Sequence, residues 1–237
     1  MAKTKSGTKI TVVSYSGEPF KNREEAGRLI AEQLGRLRNK GAIVLGIPRG
    51  GIIVAKELAT RIRADLDIVL SRKLGTPGQP ELAMGSLAED GTVFTNEYVV
   101  KAMGVTKQDI EQEKARQIKE IQRRTQLIRN VLPKSSLKNR IVVVTDDGVA
   151  TGATMQAALW AVRQENPLIV IVAIPVASDE ALNRLSADAD EILCLRQPPI
   201  FYAVGQFYSR FYQVQDEEVL QVLKAEAARR QKRRRKR

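Results

Sequence analysis

The 237-residue chain contains no histidine, one cysteine and one tryptophan. Without histidine there is no Ser-His-Asp hydrolytic triad and no metal site built on imidazole. Cys194 stands alone in an apolar run, which excludes a disulfide within the chain and predicts a thiol without chemistry. Long hydrophobic runs are also missing. The longest, Leu168 to Ala177, falls well short of the ~20 residues a membrane-crossing helix needs and contains Pro175. Met1 to Lys9 is polar and lacks the apolar stretch of a secretory leader. These absences lead us to expect a soluble, cytoplasmic protein with no membrane partner.

What is present is 43% hydrophobic content, enough for one large α/β domain, and a net charge of +12. That charge is uneven. Arg229 to Arg237 (RRQKRRRKR) holds eight cations and no acid, leaving a body of only +4. The expected organisation is a folded domain over residues 1–228 and a disordered basic tail over 229–237. Such a tail would attract nucleic acid loosely, through phosphates and without regard to base sequence.

Along the body, short apolar runs alternate with amphipathic stretches. Ile10 to Tyr15 reads as an edge strand, Asn22 to Arg38 as a helix, Ala42 to Ile47 as a buried strand and Ile52 to Arg63 as a helix. Asp67 to Leu70 reads as a third strand, followed by Ser71-Arg72-Lys73. Leu74 to Gly91 is rich in glycine and proline and reads as a long loop, uncommon unless functional. Thr106 to Asn130 reads as a charged helix with a capping box of Thr106 and Asp109. Strands are expected at Leu168 to Ile174 and Glu191 to Leu195, with Ser178 capping a short helix between them. Asp216 to Ala228 reads as the last helix. The βαβ alternation predicts an α/β fold with a parallel sheet and ligand loops at the strand C-termini.

The stretch that organises the chain is Ile141 to Thr154, IVVVTDDGVATGAT. A β-branched run suited to a buried strand ends in Asp146 and Asp147, then passes through Gly148, Val149, Ala150, Thr151, Gly152, Ala153 and Thr154 into a helix. Free amides and a helix N-terminus after a small-residue loop suit a phosphate, with Thr151 and Thr154 as hydroxyl donors. Two carboxylates beside an anion site repel it unless they hold sugar hydroxyls or a divalent cation. A second strand–glycine loop–helix unit carries Pro48, Arg49, Gly50 and Gly51. It lacks the Lys-Ser/Thr of a Walker A loop and the spacing of a dinucleotide fingerprint.

The hydrophobic run, acid pair and T-G-x-T of the first unit resemble the phosphoribosyl pyrophosphate (PRPP) motif of type I phosphoribosyltransferases. The resemblance spans roughly Ala42 to Leu195. It implies a Rossmann-like type I fold with a small hood, whose candidate here is residues 196–228, and an enzyme that transfers the phosphoribosyl group to a nitrogen acceptor with release of pyrophosphate. Asp146 to Thr154 would hold PRPP, the acids on the ribose hydroxyls and the loop on the 5-phosphate. Pro48 to Gly51 with Arg72 and Lys73 would hold pyrophosphate, and a cis bond at Pro48–Arg49 is implied. Mg²⁺ would enter through PRPP, near Asp146 and Asp147, with no direct protein ligand. Leu74 to Gly91 matches the family's flexible catalytic loop in position. Arg72 and Lys73 would assist catalysis, with Glu81 the candidate for acid–base help. Phe201 and Tyr202, in an aromatic-rich stretch from Arg196 to Tyr212, would form the acceptor hood, although an oligomer contact or a lid on the core fits that stretch equally. A homo-oligomer is expected. Enzymes of this family for hypoxanthine and guanine carry an acid at the position of Ala150, so the chain looks more like the adenine or pyrimidine branches there. The rival function is a non-catalytic PRPP-sensing regulator that binds nucleic acid through its basic tail.

Overall fold

Asn22, Asn96, Thr106 and Ser178 each stand one residue before a helix and accept a hydrogen bond from its first turn. Such caps satisfy amides that have no partner inside the helix, which is why these polar residues start helices here. At Thr106 the predicted capping box with Asp109 is complete. The computed structural model describes residues 7–235, so the first residues of the chain and the last two of the basic run lie outside it.

The strands are β1 (Lys9–Ser14), β2 (Ile43–Gly46), β3 (Asp65–Ile68), β4 (Ser71–Thr76), β5 (Gln79–Ala88), β6 (Val93–Thr95), β7 (Ile141–Thr145), β8 (Ile169–Val176) and β9 (Glu191–Arg196). The α-helices are α1 (Arg23–Gln33), α2 (Gly51–Ile62), α3 (Glu97–Ala102), α4 (Lys107–Arg129), α5 (Ala153–Gln164), α6 (Asp179–Leu185) and α7 (Asp216–Arg235). Six strands form one parallel sheet in the order β1-β9-β8-β7-β2-β3. Its central members β2, β7 and β8 are apolar on both faces because helices cover both sides. One core lies under α1, α2 and α7, the other under α5 and α6. Cys194 is fully buried in the second, where burial pushes its thiol up to about 12. None of the helices among the described residues is long and apolar enough to cross a membrane.

Two expectations need correcting. The glycine- and proline-rich stretch from Leu74 to Gly91 is not a loop. It forms most of an antiparallel three-stranded sheet, β4-β5-β6. Pro77-Gly78 supplies its turn, with Gly78 at φ +74°, the pattern of a type II turn. Gly85 permits strand approach, since a Cβ there would lie 2.3 Å from the Phe94 carbonyl oxygen. Leu74, Met84 and Leu87 are fully buried in a small core with Val99 and Ile121. The buried Ser86 hydroxyl donates to the Ala157 carbonyl at 2.9 Å and ties this sheet to α5.

The second correction concerns the basic tail. Helix α7 continues to Arg235, through most of the run expected to be disordered. The run lacks an apolar face but finds acids and carbonyls on the body. Arg229 and Arg230 both bond the buried Glu226 carboxylate, at 2.6 Å and 2.9 Å, and donate to the Ala64 and Leu66 carbonyls. Arg233 reaches Asp65 at 2.8 Å. Glu226 in turn accepts from the Leu66 amide at 3.2 Å, so the end of α7 is tied to β3.

Candidate active site

β2 and β7 are neighbours, paired from Ile43↔Val142 to Gly46↔Thr145, so both deliver their following loops to the same sheet end. The Ile47 amide donates to the Thr145 carbonyl at 2.9 Å and extends this pairing into the loops. The peptide Pro48–Arg49 is cis, as the resemblance implies. Beyond it, Gly50 and Gly51 lie directly against the acid pair. A Cβ on Gly50 would sit 1.9 Å from Asp147 Oδ2, and one on Gly51 would sit 2.8 Å from Asp146 Oδ1. The two loops expected to hold the two ends of one ligand are therefore in contact.

Both loops lead into helices that a glycine precedes. Gly50 stands before α2 and Gly152 before α5, and neither helix has a side-chain cap. Helices α1, α3, α4 and α6 are all closed by Asn, Thr or Ser side chains. The contrast has a chemical consequence. In α2 the Ile52 and Ile53 amides donate to the Arg49 and Gly50 carbonyls at 3.3 and 3.2 Å, and in α5 the Ala153 amide to the Thr151 hydroxyl at 3.5 Å; the other amides at these starts, at the positive end of a helix dipole, are donors for an anion. Gly152 has φ +79°, a conformation that a residue with a Cβ rarely adopts.

The loop between Asp147 and Gly152 is held from below. The Val149 amide donates to the Val176 carbonyl at 2.9 Å, the Ser178 amide to the Val149 carbonyl at 3.1 Å, and the Ser178 hydroxyl to the Ala150 carbonyl. Val149 is buried, while Ala150, Thr151 and Thr154 are exposed. Gly148 faces Val204, whose methyl would lie 2.5 Å from an added Cβ, so that glycine admits the hood segment rather than a ligand.

Asp146 and Asp147 have different surroundings. Burial, then the negative charge of Asp147, push Asp146 well above the usual carboxylate range. Asp147 has a partner: its Oδ2 accepts from Arg23 Nε at 2.7 Å. Arg23 is 4% exposed, donates also to the Tyr212 carbonyl at 2.8 Å, and has its guanidinium 4.0 Å from the Phe211 ring centroid. The Tyr208 hydroxyl donates to the Asp147 carbonyl at 2.5 Å. Burial and the neighbouring Asp147 charge hold that phenol well above its ordinary value.

Neither Arg23 nor Tyr208 is among the residues that the sequence motifs mark. For Arg23 one signal is available. A cation in the first turn of α1, beside Glu24 and Glu25, opposes the helix dipole and so has another partner. Nothing in the sequence distinguishes Tyr208 from its aromatic neighbours.

A cavity of about 270 Å³ opens beside the cis peptide, lined among others by Pro48, Arg72, Lys73, Arg124 and Thr154. It brings together residues from both loops and from β4. The Arg72 Nε is buried without a hydrogen-bond partner among the described residues, and its Nη2 lies 3.8 Å from Glu120. Arg123 and Arg124 hydrogen-bond Glu120 and hold its carboxyl down at about 2. Glu81 lies on β5, and its side chain lies outside the described residues. Of the hood candidates, Phe201 packs on Phe207 with centroids 4.9 Å apart, while Tyr202 is 84% exposed. Phe207 and Tyr208 are buried, so much of the aromatic stretch serves the core and the seat of Arg23.

Among the described residues no three acids or cysteines cluster as a metal site. Asp146 nevertheless suits a cation that arrives with its own ligands. Its carboxyl is half-buried beside a second acid, and Mg²⁺ binds through one or two carboxylates together with substrate phosphates.

Residues 20–211 match the family described as phosphoribosyl transferase domain. A crystal structure of TT1426 from Thermus thermophilus is 46% identical, covers 87% of this chain and 98% of its own, and superposes with a TM-score of 0.82. Two proteins of Mycobacterium tuberculosis, MT0597 of strain CDC 1551 and Rv0571c of strain H37Rv, are each 41% identical over 204 residues. Both bear the printed name "Putative phosphoribosyl transferase", and the match covers 86% of this chain and 46% of theirs. The chain thus spans about half the length of the curated relatives it matches.

Proposed function

The chain belongs to the phosphoribosyl transferase domain family, and from that premise we propose that it transfers the phosphoribosyl group of PRPP to a nitrogen nucleophile with release of pyrophosphate. One observation carries this reading. The two helices that begin at the C-terminal ends of β2 and β7 have glycine where four other helices have capping side chains, and an acid pair lies between them. A ligand with an anion at each end and hydroxyls in the middle suits that arrangement.

In this reading the amides at the start of α5, with Thr151 and Thr154, bind the 5-phosphate. The amides of the Pro48–Gly51 loop, with Arg49, Arg72 and Lys73, bind pyrophosphate. Asp146 accepts from the ribose hydroxyls, and Asp147 adds the carboxylate oxygen that Arg23 leaves open. The acceptor nitrogen bonds to C1 of the ribose as the C1–oxygen bond to pyrophosphate breaks, and the electron pair leaves with pyrophosphate. Arg72 and Lys73 stabilise the charge that develops there. Asp146 and Asp147 would hold a substrate-borne Mg²⁺ at this point, and the ion would supply further charge neutralisation. The proton released from the acceptor passes to a base, for which Glu81 on β5 is our candidate, or to solvent.

Ala150 has neither a proton to give nor a lone pair to offer a purine, so the acceptor should be something other than hypoxanthine or guanine. The test is a panel of nitrogenous bases and amines, each mixed with the full chain, PRPP and Mg²⁺, with pyrophosphate release followed continuously. Release with at least one acceptor is expected. Tight PRPP binding with no release from any acceptor would replace the transferase reading with that of a PRPP sensor.

A further inference from the structure

Nothing in the sequence links α4 to either glycine loop, yet Gln117, Ile121 and Arg124 of this helix line the cavity beside the cis peptide. Their spacing of four and then three residues puts them in one row along the helix. Two buried anchors fix that row. Ile121 packs into the small core with Leu74, Met84 and Leu87, and Ile128 packs into the core under α1, α2 and α7. Arg124 stands between the two anchors. It also lines a second, smaller recess together with Pro48, so both recesses place it beside the cis-peptide loop. Gln117 is engaged with Glu113 at 3.0 Å, which leaves Arg124 as the member of the row that brings charge to the cavity.

The partners of Arg124 do not use it up. Its Nε donates to Glu120 at 2.6 Å, and among the described residues no other acceptor takes it, so its two terminal nitrogens remain open. Glu120 is itself divided. Arg123 donates to both of its oxygens, at 2.9 Å and 3.2 Å, and Arg72 Nη2 lies 3.8 Å away. The next acid, Asp216, is 3.8 Å from Arg123. The Arg72 Nε, in the same cavity lining, is buried without a hydrogen-bond partner among the described residues. A buried donor without an acceptor is unfavourable, and an anion in the cavity would relieve it. We propose that Arg124 is a further ligand-binding residue of the transferase site, whose terminal nitrogens meet the pyrophosphate end of the substrate together with Arg72 while Glu120 holds the guanidinium in place. The inference rests on the PRPP reading of the site. Arginine suits this position better than lysine, because Nε can stay on the carboxylate while the terminal fork takes phosphate oxygens.

The experiment is calorimetric titration of inorganic pyrophosphate, PRPP and ribose 5-phosphate, each with Mg²⁺, into the full chain and into Arg124→Ala, Arg124→Gln and Arg116→Ala. Ribose 5-phosphate shares the 5-phosphate and the 2- and 3-hydroxyls of PRPP but has no pyrophosphate. Arg116, on the same helix, has a side chain 74% exposed and does not line the cavity, so its loss removes an equal charge elsewhere. Glu120 keeps both bonds from Arg123 in every variant, so its carboxylate is not left unpaired and the fold should hold, which thermal melting checks. Losses of about tenfold or more for pyrophosphate and PRPP are expected in both Arg124 variants, the size of a charge-assisted hydrogen bond. Ribose 5-phosphate should stay within about twofold of the wild type, and Arg116→Ala should bind all three ligands as the wild type does. Wild-type binding of pyrophosphate and PRPP, with no selective loss in a folded Arg124 variant, would overturn this inference and leave the reading of the site intact. A wild type that binds none of the three ligands would overturn both.

Discussion

Arg23→Met is the substitution that most severely tests the architecture of the acid pair. The guanidinium is 4% exposed and makes three kinds of contact: the 2.7 Å pair with Asp147, the 2.8 Å bond to the Tyr212 carbonyl, and stacking 4.0 Å from the Phe211 centroid. Methionine keeps much of the volume but removes the charge. Asp147 is then left with a largely buried carboxylate beside Asp146, and breaking one side of such a pair costs about 3–5 kcal/mol. For a chain of this size each kcal/mol lowers the melting temperature by about 2–4 °C, so a drop of roughly 6–20 °C is expected. The assay is urea and thermal unfolding of the wild type, Arg23→Met, Asp147→Asn and the double variant, all without ligand. Because the cost arises from an unpaired charge, Asp147→Asn should restore much of the stability lost in Arg23→Met. A single-variant loss below about 1 kcal/mol would refute the reasoning, as would a double-mutant coupling indistinguishable from zero.

Three other outcomes follow from the same geometry. Asp146 has a raised folded-state value, so the folded protein binds more protons than the unfolded chain between the ordinary carboxylate value of 3.8 and that raised value. Its contribution to stability therefore falls as pH rises through this window. Asp146→Asn should be more stable than the wild type at neutral pH in the ligand-free state, with a flatter difference curve in pH-dependent urea titrations. Lower stability at neutral pH would contradict the assignment. Gly50→Ala places a methyl 1.9 Å from Asp147 Oδ2 and should cost about 1–3 kcal/mol while disturbing PRPP binding, whereas Gly35→Ala, with nothing within 4 Å, should leave binding unchanged in the same calorimetric titration. Truncation before Arg229 removes both arginine partners of Glu226, which is 5% exposed and keeps only the Leu66 amide, and should destabilise the fold by about 3–5 kcal/mol in urea unfolding. A truncated chain as stable as the full one would mean that the docked end of α7 contributes nothing.

The succession of strands and helices, and with it a parallel sheet, is legible in the sequence because most core strands are short apolar runs and the helices between them carry a period, whereas the spatial order of the strands is not. The acid pair and both glycine loops are legible because their chemistry is local: each is written in consecutive residues. What escapes is set by contacts distant in sequence. Arg23 meets Asp147 across 124 residues. The end of α7 is ordered by Asp65, Glu226 and the carbonyls of Ala64 and Leu66, none of which a composition rule links to a basic run. The hairpin of β4 and β5 is hidden for a different reason. Its glycines suggest looseness by composition, whereas Gly78 makes a tight turn and Gly85 admits a neighbouring strand. Strand β3 begins at Asp65 rather than Asp67 because both acids are neutralised by arginines, so a charged strand end is tolerated.

The central claim is that one ligand spans both glycine-capped helix N-termini across the acid pair. Calorimetric titration of PRPP into the full chain, with Mg²⁺ and with a chelator, tests it most directly when repeated on Asp146→Asn/Asp147→Asn. Saturable, Mg²⁺-dependent binding to the wild type and severe weakening in the double variant are predicted. Equal PRPP affinity in the two proteins would contradict the claim.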